Sequence, residues 1–296
     1  MLKIAVFPVA GFGTRFLPAT KACPKEMLPV VDKPLIQYAV EEAYDAGLRT
    51  MVFITGRNKW AITEHYDIAY ELETELAQRQ KNELLRTVQA VKPRDMNVIY
   101  IRQEQALGLG HAVLCAAPIT QNNPFAVLLA DDLMLAPEKS VLKQMVEVYN
   151  KQQQGVIGVM EVPRAETQKY GIVSAGAQLE PGLYTIENIV EKPEPAAAPS
   201  TLAVVGRYIL PARIMTMLRN TPSGAGGEIQ LTDAIGALLR EKTVLAYGFR
   251  GKRFDCGDKL GYIQANLEMS LRHPQLGPQL RAYLHDQLPT LLADGD

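Results

Sequence analysis

Short apolar runs rich in β-branched residues alternate with helical patterns along the first half of the chain, and this alternation most constrains the fold. The runs cover residues 4–9, 51–55, 97–101 and 125–130. Between them lie patterns typical of helices, such as residues 35–46, which end at Gly47, where glycine suits a helix C-terminus. This strand–helix–strand order predicts a parallel β-sheet with helices on both faces.

The second half has a different character, because four strand-like runs follow one another with little helix between them. These runs cover residues 156–162, 171–174, 184–190 and 202–210. They predict an antiparallel or mixed layer joined to the first sheet. From Lys259 the pattern is helical to near the end, with an interruption around His273. We therefore predict one large α/β body over residues 1–258 and a helical extension over 259–296.

Charge and composition limit the classes of function. The 296 residues carry 31 Lys and Arg against 32 Asp and Glu, for a net charge of -1, so nucleic acid and membrane partners are not expected. No apolar run approaches the roughly 18 residues of a membrane helix. Three cysteines, an odd number without metal-site spacing, suit a reducing cytoplasm, where we place the protein.

The loop after the first strand reads Gly-Phe-Gly-Thr-Arg at residues 11–15. A dinucleotide fingerprint needs a third glycine three positions after Gly13, where Phe16 stands, and the Walker A spacing is also absent. What remains is a tight glycine turn with free backbone N–H groups, followed by Arg15 and Lys25. Because Arg offers several donors to phosphate oxygens, this loop predicts a local phosphate site.

A longer string resembles the signature of the sugar-1-phosphate nucleotidylyltransferases. It joins residues 11–15 to Pro-Lys-Glu-Met-Leu-Pro at 24–29 and Asp-Lys-Pro-Leu-Ile at 32–36. These enzymes join a nucleoside triphosphate to a sugar 1-phosphate and release pyrophosphate. The resemblance implies a Rossmann-like three-layer α/β/α fold around a mixed sheet, of the nucleotide-diphospho-sugar transferase type, with a C-terminal helical extension.

Later segments resemble one branch of that family, the bacterial UTP–glucose-1-phosphate uridylyltransferases. These segments lie, in the order of the branch, at residues 102–113, 191–193, 206–208, 228–235 and 255–262. The resemblance implies that UTP and glucose 1-phosphate react by direct in-line displacement, assisted by Mg²⁺, to give UDP-glucose and pyrophosphate. It also implies a homo-dimer or homo-tetramer, with the helical extension as a possible interface.

Because both reactants are anionic, the reaction needs cationic groups at specific positions in the site. Two unit charges about 4 Å apart interact by roughly 4 kcal/mol at an effective dielectric constant of about 20. The resemblance implies that Arg15 stabilises the transition state and the leaving pyrophosphate. It implies that Lys25 contacts the α-phosphate, where charge rearranges during transfer.

The nucleotide base is expected near the carboxyl ends of the first strands. Uracil presents one N–H donor and two carbonyl acceptors, and an amide such as that of Gln103 can satisfy both kinds. The resemblance implies that backbone groups of Ala10, Gly11 and Gly108 complete this recognition. Glu26 lies beside the pocket in the family and either binds the base or holds the loop.

The sugar phosphate is expected at the second group of strands. The resemblance implies that Lys192 grips the phosphate of glucose 1-phosphate and that Glu191 accepts hydrogen bonds from the sugar hydroxyls. It implies a backbone contact from Gly171 to glucose. Val204 borders the sugar or packs in the core.

Two carboxylates are the candidate metal ligands. Asp131 follows an apolar strand, where parallel-sheet enzymes place ligand-binding groups, and carboxylate oxygen suits Mg²⁺. The resemblance implies that Asp131 and Asp255 flank a metal ion that bridges the phosphates. Asp132 either touches sugar or solvent. The chain has Ala130 where the family often has proline, but the following aspartate is kept.

Three alternatives stay open at this point. A thymidylyltransferase for the same sugar phosphate would share the loop, the lysines and both aspartates, although the segments around Gln103 and at 255–262 favour uridylyl transfer. A regulatory subunit without activity is disfavoured by the intact Arg15 and Lys25. A dehydrogenase is the least favoured, because of Phe16.

Overall fold

This computed structural model describes residues 2–293, so residues 294–296 of the predicted extension lie outside the described part. Within that part the strands are β1 (Ile4–Val9), β2 (Pro29–Val30), β3 (Lys33–Pro34), β4 (Thr50–Thr55), β5 (Asn97–Arg102), β6 (Phe125–Leu128), β7 (Asp132–Leu135), β8 (Gly155–Glu161), β9 (Gly171–Glu180), β10 (Leu183–Glu191), β11 (Leu202–Leu210), β12 (Val244–Gly248) and β13 (Lys252–Asp255).

The helices surround these strands. They are α1 (Leu35–Asp45), α2 (Trp60–His65), α3 (Tyr70–Gln78), α4 (Asn82–Ala90), α5 (Gly108–Cys115), α6 (Ala117–Thr120), α7 (Val141–Gln152), α8 (Ile214–Asn220), α9 (Leu231–Leu239), α10 (Lys259–Arg272) and α11 (Leu276–Ala293).

Nine strands form one mixed sheet in the order β5-β4-β1-β6-β11-β8-β12-β10-β9. The first four are parallel, as the alternating sequence pattern predicts. Strand β11 then runs antiparallel to both β6 and β8, which joins the second half of the chain to the first without a break. The predicted mixed sheet is confirmed, and its two parts form a single layer.

Side chains of the central strands alternate between two cores. Val6 and Val52 face the core under α5, α8 and α9, whereas Phe7 and Phe53 face the core under α1 and α7. Because successive residues of a strand point to opposite faces, a run that is apolar throughout must be covered on both sides. The result is the predicted three-layer α/β/α arrangement.

A small β-ribbon stands apart from the main sheet and bears directly on the site. The predicted strand at 125–130 ends at Leu128, and the chain turns through Leu129 and resumes as β7. Strand β7 pairs antiparallel with β13, and Asp132 lies opposite Asp255. Sequence patterning did not show β7, because four residues are too few for periodicity to establish a strand.

The C-terminal segment forms two helices, and the break between them agrees with the predicted interruption at His273. Asp258 caps helix α10 at its N-terminus, and its carboxylate accepts hydrogen bonds from the backbone N–H groups of Leu260 and Gly261. Its Ala265 packs in a third cluster with Leu133 of the ribbon. Within residues 2–293 no helix is long and apolar enough to cross a membrane.

Candidate active site

The glycine loop brings Lys25 against the end of β1. Gly13 has φ 67°, a left-handed conformation that favours glycine, and its carbonyl accepts a hydrogen bond from Thr20 Oγ1 at 2.7 Å. A β-carbon on Gly13 would lie 3.1 Å from Cβ of Lys25. The glycine therefore permits both the turn and the close approach of the lysine.

Arg15, Asp131 and Asp255 converge on Gly257, although they come from three distant parts of the chain. Arg15 is exposed and donates from Nη1 to the carbonyl of Gly257 at 3.0 Å. A β-carbon on Gly257 would lie 2.9 Å from Oδ2 of Asp131 and 3.0 Å from Oδ1 of Asp255. The β7–β13 ribbon makes this convergence possible, since it pairs Asp255 with Asp132, the chain neighbour of Asp131.

Lys25 and Asp131 form an ion pair at the opening of the site. The distance from Nζ to Oδ2 is 2.5 Å, and the two side chains are 22% and 26% exposed. Burial alone would raise the pKa of Asp131, but the ammonium of Lys25 holds it below its ordinary value. Burial opposes the charge on Lys25 too, yet Asp131 and Glu26 raise its pKa. Both groups are therefore charged at neutral pH.

The residues at Gly257 fit a Mg²⁺ ion that is shared with a substrate. Among the described residues no three His, Cys, Asp or Glu side chains form a group that could hold a metal by themselves. Mg²⁺ commonly binds through one or two carboxylates and completes its shell with waters and phosphate oxygens. Asp131 and Asp255 supply such a pair, and their donor set is suitable.

A cavity of about 200 Å³ lies between the ribbon and the second group of strands, where the sugar phosphate is expected. Its lining includes Arg15, Asp131, Gly171, Glu191, Val204 and Asp255, which the sequence analysis placed in the site. Val204 is also part of the core under α5, which agrees with the expected core packing, whereas its contact with the sugar stays a prediction.

Strand pairing positions the predicted sugar ligands. Gly171 lies opposite Glu191 in the β9–β10 pair, and Thr232 Oγ1 donates to Oε2 of Glu191 at 2.6 Å. Lys192 has φ 45°, with its exposed ammonium 3.4 Å from Oε1 of Glu191. Its backbone N–H donates to the carbonyl of Tyr170 at 2.9 Å, which holds the bend after β10.

The base side is built at the ends of β1, β4 and β5. Ala10 and the exposed Gly11 follow β1 directly. Gln103 follows β5, is 7% exposed, and donates from Nε2 to the carbonyl of Gly108 at 3.3 Å. Gly108 has φ 89° and begins helix α5. The structure therefore brings these four predicted residues to one edge of the sheet.

Glu26 lies beneath this edge and is only 1% exposed. Its Oε2 is 2.7 Å from Nζ of Lys59, which is also buried. Burial raises the pKa of Glu26, an effect that Lys59 and Lys25 counteract in part. Of the two roles expected for Glu26, this contact supports the one that holds the loop.

Comparisons with known proteins identify the family of this chain. A sequence model of the nucleotidyl transferase family matches residues 5–271. A UTP–glucose-1-phosphate uridylyltransferase of Pseudomonas aeruginosa is 50% identical over 90% of this chain and 95% of its own length. The chain belongs to the nucleotidyl transferase family. The resemblance drawn from its sequence motifs is confirmed.

Solved structures are similar to almost the whole of this chain. A UTP-bound UGPase from Acinetobacter baumannii has a TM-score of 0.90 and 46% identity, and the match covers 96% of this chain and 99% of that one. A UDP-glucose pyrophosphorylase complexed with UDP-glucose has a TM-score of 0.85 and 45% identity, with 92% and 100% covered.

Two polar residues of this nucleotidyltransferase site were missed by sequence reasoning. Arg253 donates from Nε to Oδ1 of Asp132 at 2.6 Å and from Nη1 to the hydroxyl of Tyr170 at 3.2 Å. The other residue is Lys59, the partner of Glu26. Since Arg253 lies two residues before Asp255 in a strand, both face the same side, and this spacing was the one available signal.

Asp132 is 4% exposed, so its expected contact with solvent is wrong. Burial raises its pKa, and the guanidinium of Arg253 opposes that rise. Its Oδ2 accepts the backbone N–H of Gly206 at 2.8 Å. Asp132 therefore ties the ribbon to β11.

Cys256 follows Asp255, and its backbone N–H donates to the carbonyl of Asp131 at 2.7 Å, but among the described residues its thiol has no side-chain hydrogen-bond partner. It is 1% exposed and packs in the small core under α10. Burial raises the pKa of its thiol to about 12, so the thiolate is not formed at neutral pH. This position shows that Cys256 serves packing.

Proposed function

We propose that this nucleotidyltransferase transfers the uridylyl group of UTP to glucose 1-phosphate, giving UDP-glucose and pyrophosphate. The observation that carries the proposal is the convergence of Arg15, Lys25, Asp131 and Asp255 at the end of the parallel strands, beside a cavity that Gly171 and Glu191 line. Support also comes from a relative named for that activity and from a similar solved structure that is bound to UTP.

The reaction needs no covalent intermediate with the protein. A phosphate oxygen of glucose 1-phosphate attacks the α-phosphorus of UTP, a new P–O bond forms, and the bond to the β-phosphate oxygen breaks as pyrophosphate leaves. Arg15 and Lys25 stabilise the charge on the transferred and leaving phosphates. Holding the two reactants in line contributes up to roughly 7–11 kcal/mol.

Mg²⁺ is the cofactor that we propose. Asp131 and Asp255 would hold it, and when bound it supplies positive charge that positions the phosphates and screens their repulsion. Lys25 pairs with the same Oδ2 of Asp131 that faces Gly257. The lysine must therefore leave this oxygen to reach the α-phosphate, and the ion pair keeps its ammonium charged until then.

The sugar side would bind glucose 1-phosphate through Glu191, Lys192 and Gly171, with Val204 at the wall. Glu191 is oriented by Thr232, so its remaining lone pairs can accept from sugar hydroxyls. The exposed ammonium of Lys192 is free to move toward a phosphate, since its pair with Glu191 is long. On the base side, Ala10, Gly11, Gln103 and Gly108 would recognise uracil.

The deciding experiment incubates the purified protein with Mg²⁺, glucose 1-phosphate and each nucleoside triphosphate in turn, and measures pyrophosphate and nucleotide sugar. UDP-glucose from UTP is the expected result. A preference for dTTP would support the thymidylyltransferase alternative instead. No nucleotide sugar from any triphosphate would support the regulatory subunit.

The metal assignment has its own test. We expect Asp131→Asn to raise sharply the Mg²⁺ concentration needed for half-maximal rate, since it removes one anionic ligand. Asp258→Asn is the matched control, because Asp258 is exposed, caps α10 and asparagine also caps helices. An unchanged Mg²⁺ requirement in Asp131→Asn would refute the assignment.

We also propose that the body over 1–258 carries catalysis and that the extension over 259–296 joins copies of the chain into a homo-dimer or homo-tetramer. Leu260, Ile263 and Leu267 of α10 are 63%, 62% and 43% exposed, and their spacing places them on one side of the helix. Light scattering should give a multiple of 32.6 kDa, and Ile263→Lys should lower it. A monomeric wild type would exclude the assembly.

The place of action that we propose is the cytoplasm. The three cysteines are free, as expected in a reducing compartment.

A further inference from the structure

The amide of Gln103 is held in one orientation by two contacts of its nitrogen. We propose that His111 is a positioning residue for nucleotide selectivity: it accepts a hydrogen bond from Gln103 and so turns the Gln103 carbonyl toward the base. This inference rests on the proposed function, because it assumes that Gln103 meets the base of the nucleotide.

The contacts of the amide nitrogen come from both ends of the first turn of α5. Nε2 of Gln103 lies 3.3 Å from the carbonyl oxygen of Gly108 and 2.9 Å from Nδ1 of His111. The backbone N–H of Gln103 is bonded to the carbonyl of Thr55 at 2.8 Å, which holds the residue at the end of β5. Gln103 is buried, so its amide has few alternative partners.

Elementary chemistry settles which atom faces which partner. The carbonyl oxygen of Gly108 can only accept a hydrogen bond, so the amide atom that faces it must be the nitrogen. An amide nitrogen cannot accept, so Nδ1 of His111 is the acceptor of the second contact and carries no proton. The imidazole is therefore neutral, with its proton on Nε2.

Both hydrogens of the Gln103 amide are used in these contacts, which leaves Oε1 for the ligand. Among the described residues Oε1 has no hydrogen-bond partner, and it is not among the fully buried polar atoms that lack one. Gln103 thus presents an acceptor alone. The expectation that its amide both donates to and accepts from the base is replaced by this narrower role.

An acceptor at this place selects for the N3–H group of uracil. Cytosine has a lone pair at N3, which would face Oε1 and repel it, whereas thymine has the same pairing edge as uracil. If His111 no longer accepts, the amide loses one of the two contacts that orient it and can turn its nitrogen toward the base. Discrimination against cytosine should then fall, while discrimination between uracil and thymine should not.

The test compares two variants of similar size at a helical position, His111→Leu and His111→Gln. Leucine has no acceptor, whereas the carbonyl oxygen of glutamine restores one, and both residues are good helix formers. The measured quantities are kcat/KM with UTP, CTP and dTTP, the KM of glucose 1-phosphate, and the Kd of UTP and CTP by calorimetry without the sugar phosphate.

We expect the UTP-to-CTP ratio to fall by about tenfold in His111→Leu, the size of one neutral hydrogen bond, and to stay within about threefold of wild type in His111→Gln. The UTP-to-dTTP ratio and the KM of glucose 1-phosphate should not change in either variant. A residue that only packs would change stability or all substrates together and leave these ratios alone.

Three results would overturn the proposal: an unchanged UTP-to-CTP ratio in His111→Leu, an equal fall in His111→Gln, or a parallel fall in the UTP-to-dTTP ratio. The Kd values measured by calorimetry test this inference independently of the proposed function. A wild type that binds UTP in preference to CTP but makes no UDP-glucose would contradict the function, and the Kd ratios of the variants would still decide the role of His111.

Discussion

Two neighbouring residues, Lys25 and Glu26, lie in the same 3-10 turn and each forms an ion pair with a distant partner. The pair of Lys25 with Asp131 is at the opening of the site, with side chains 22% and 26% exposed. The pair of Glu26 with Lys59 is buried, with exposures of 2% and 6%. The chemistry of the two pairs is the same, but their access to a ligand differs.

Because of this difference, the ammonium of Lys25 can interact with a ligand, whereas that of Lys59 cannot. A partly exposed lysine can leave its aspartate for a phosphate, because water and the ligand compensate both charges. A buried lysine cannot leave its glutamate without an uncompensated charge in the interior. We infer that the first pair serves the reaction and the second holds the loop that presents it.

The largest expected effect is on stability, in Lys59→Met. This change leaves the carboxylate of Glu26 buried without a partner, which should lower the free energy of unfolding by about 3–5 kcal/mol. Urea denaturation measures it. The double variant Lys59→Met/Glu26→Gln should recover much of the loss, since the uncompensated charge is gone.

Lys139→Met is the control for that variant, because its pair with Glu147 is exposed and its loss should cost less than about 1 kcal/mol. If Lys59→Met and Lys139→Met lowered the free energy of unfolding by similar amounts, burial would not distinguish the ion pairs.

The second effect is on activity, in Lys25→Ala. We expect kcat/KM to fall at least about 100-fold, or roughly 2.7 kcal/mol of transition-state stabilisation, because the ammonium that neutralises the α-phosphate is lost. The free energy of unfolding should change by less than about 1 kcal/mol. Steady-state assays of pyrophosphate release, paired with urea denaturation, measure both.

Lys21→Ala provides the comparison, since Lys21 is an exposed lysine near the same loop and should keep its rate within about twofold. If Lys25→Ala lost as much stability as Lys59→Met and kept its rate, the first pair would not serve the reaction and the comparison would fail.

The smallest effect is the pH dependence of stability, and the two pairs should differ in sign. The pKa of Asp131 is below its ordinary value of 3.8, so its contribution is present above that pH and is lost as the pH falls through the lowered pKa. The pKa of Glu26 is above its ordinary value of 4.5, so stability from this group falls as the pH rises from 4.5 through the raised pKa.

Urea denaturation from pH 3 to 8 of wild type, Asp131→Asn and Glu26→Gln should show these opposite trends in the differences from wild type. If the stability differences of both variants changed with pH in the same direction, the pKa values of the two carboxyl groups would be shifted in the same direction, which contradicts the comparison of the two pairs.

Much of the fold followed from local patterns, and the errors had local causes. The strands at 4–9 and 202–210 match β1 and β11 residue for residue, since long buried runs bounded by turns leave little choice. Ribbon strand β7 and helix α7 went unpredicted. A four-residue strand gives no period, and helix α7 carries lysines, glutamines and an asparagine that weaken its apolar stripe.

The candidate site was predicted mainly from motifs, and its internal contacts were not. Asp131 follows the end of β6 and Arg15 lies in the loop after β1, where ligand groups are expected in parallel sheets, whereas Lys25 was recognised from its motif alone. Nothing in the order of residues pairs Lys25 with Asp131 or Glu26 with Lys59, since the partners are 106 and 33 positions apart. Arg253 was missed for the same reason.

The sequence by itself determined the alternation of strands and helices, the glycine turn after β1 and the family to which the chain belongs, because each is written in short stretches. Only the tertiary structure decided which charges are usable. Asp255 reaches Asp131 through a ribbon that joins distant segments, and burial depends on everything packed around a side chain. Ion pairs of the same chemistry thus acquire different roles, since the cost of separating two charges depends on how much water can reach them.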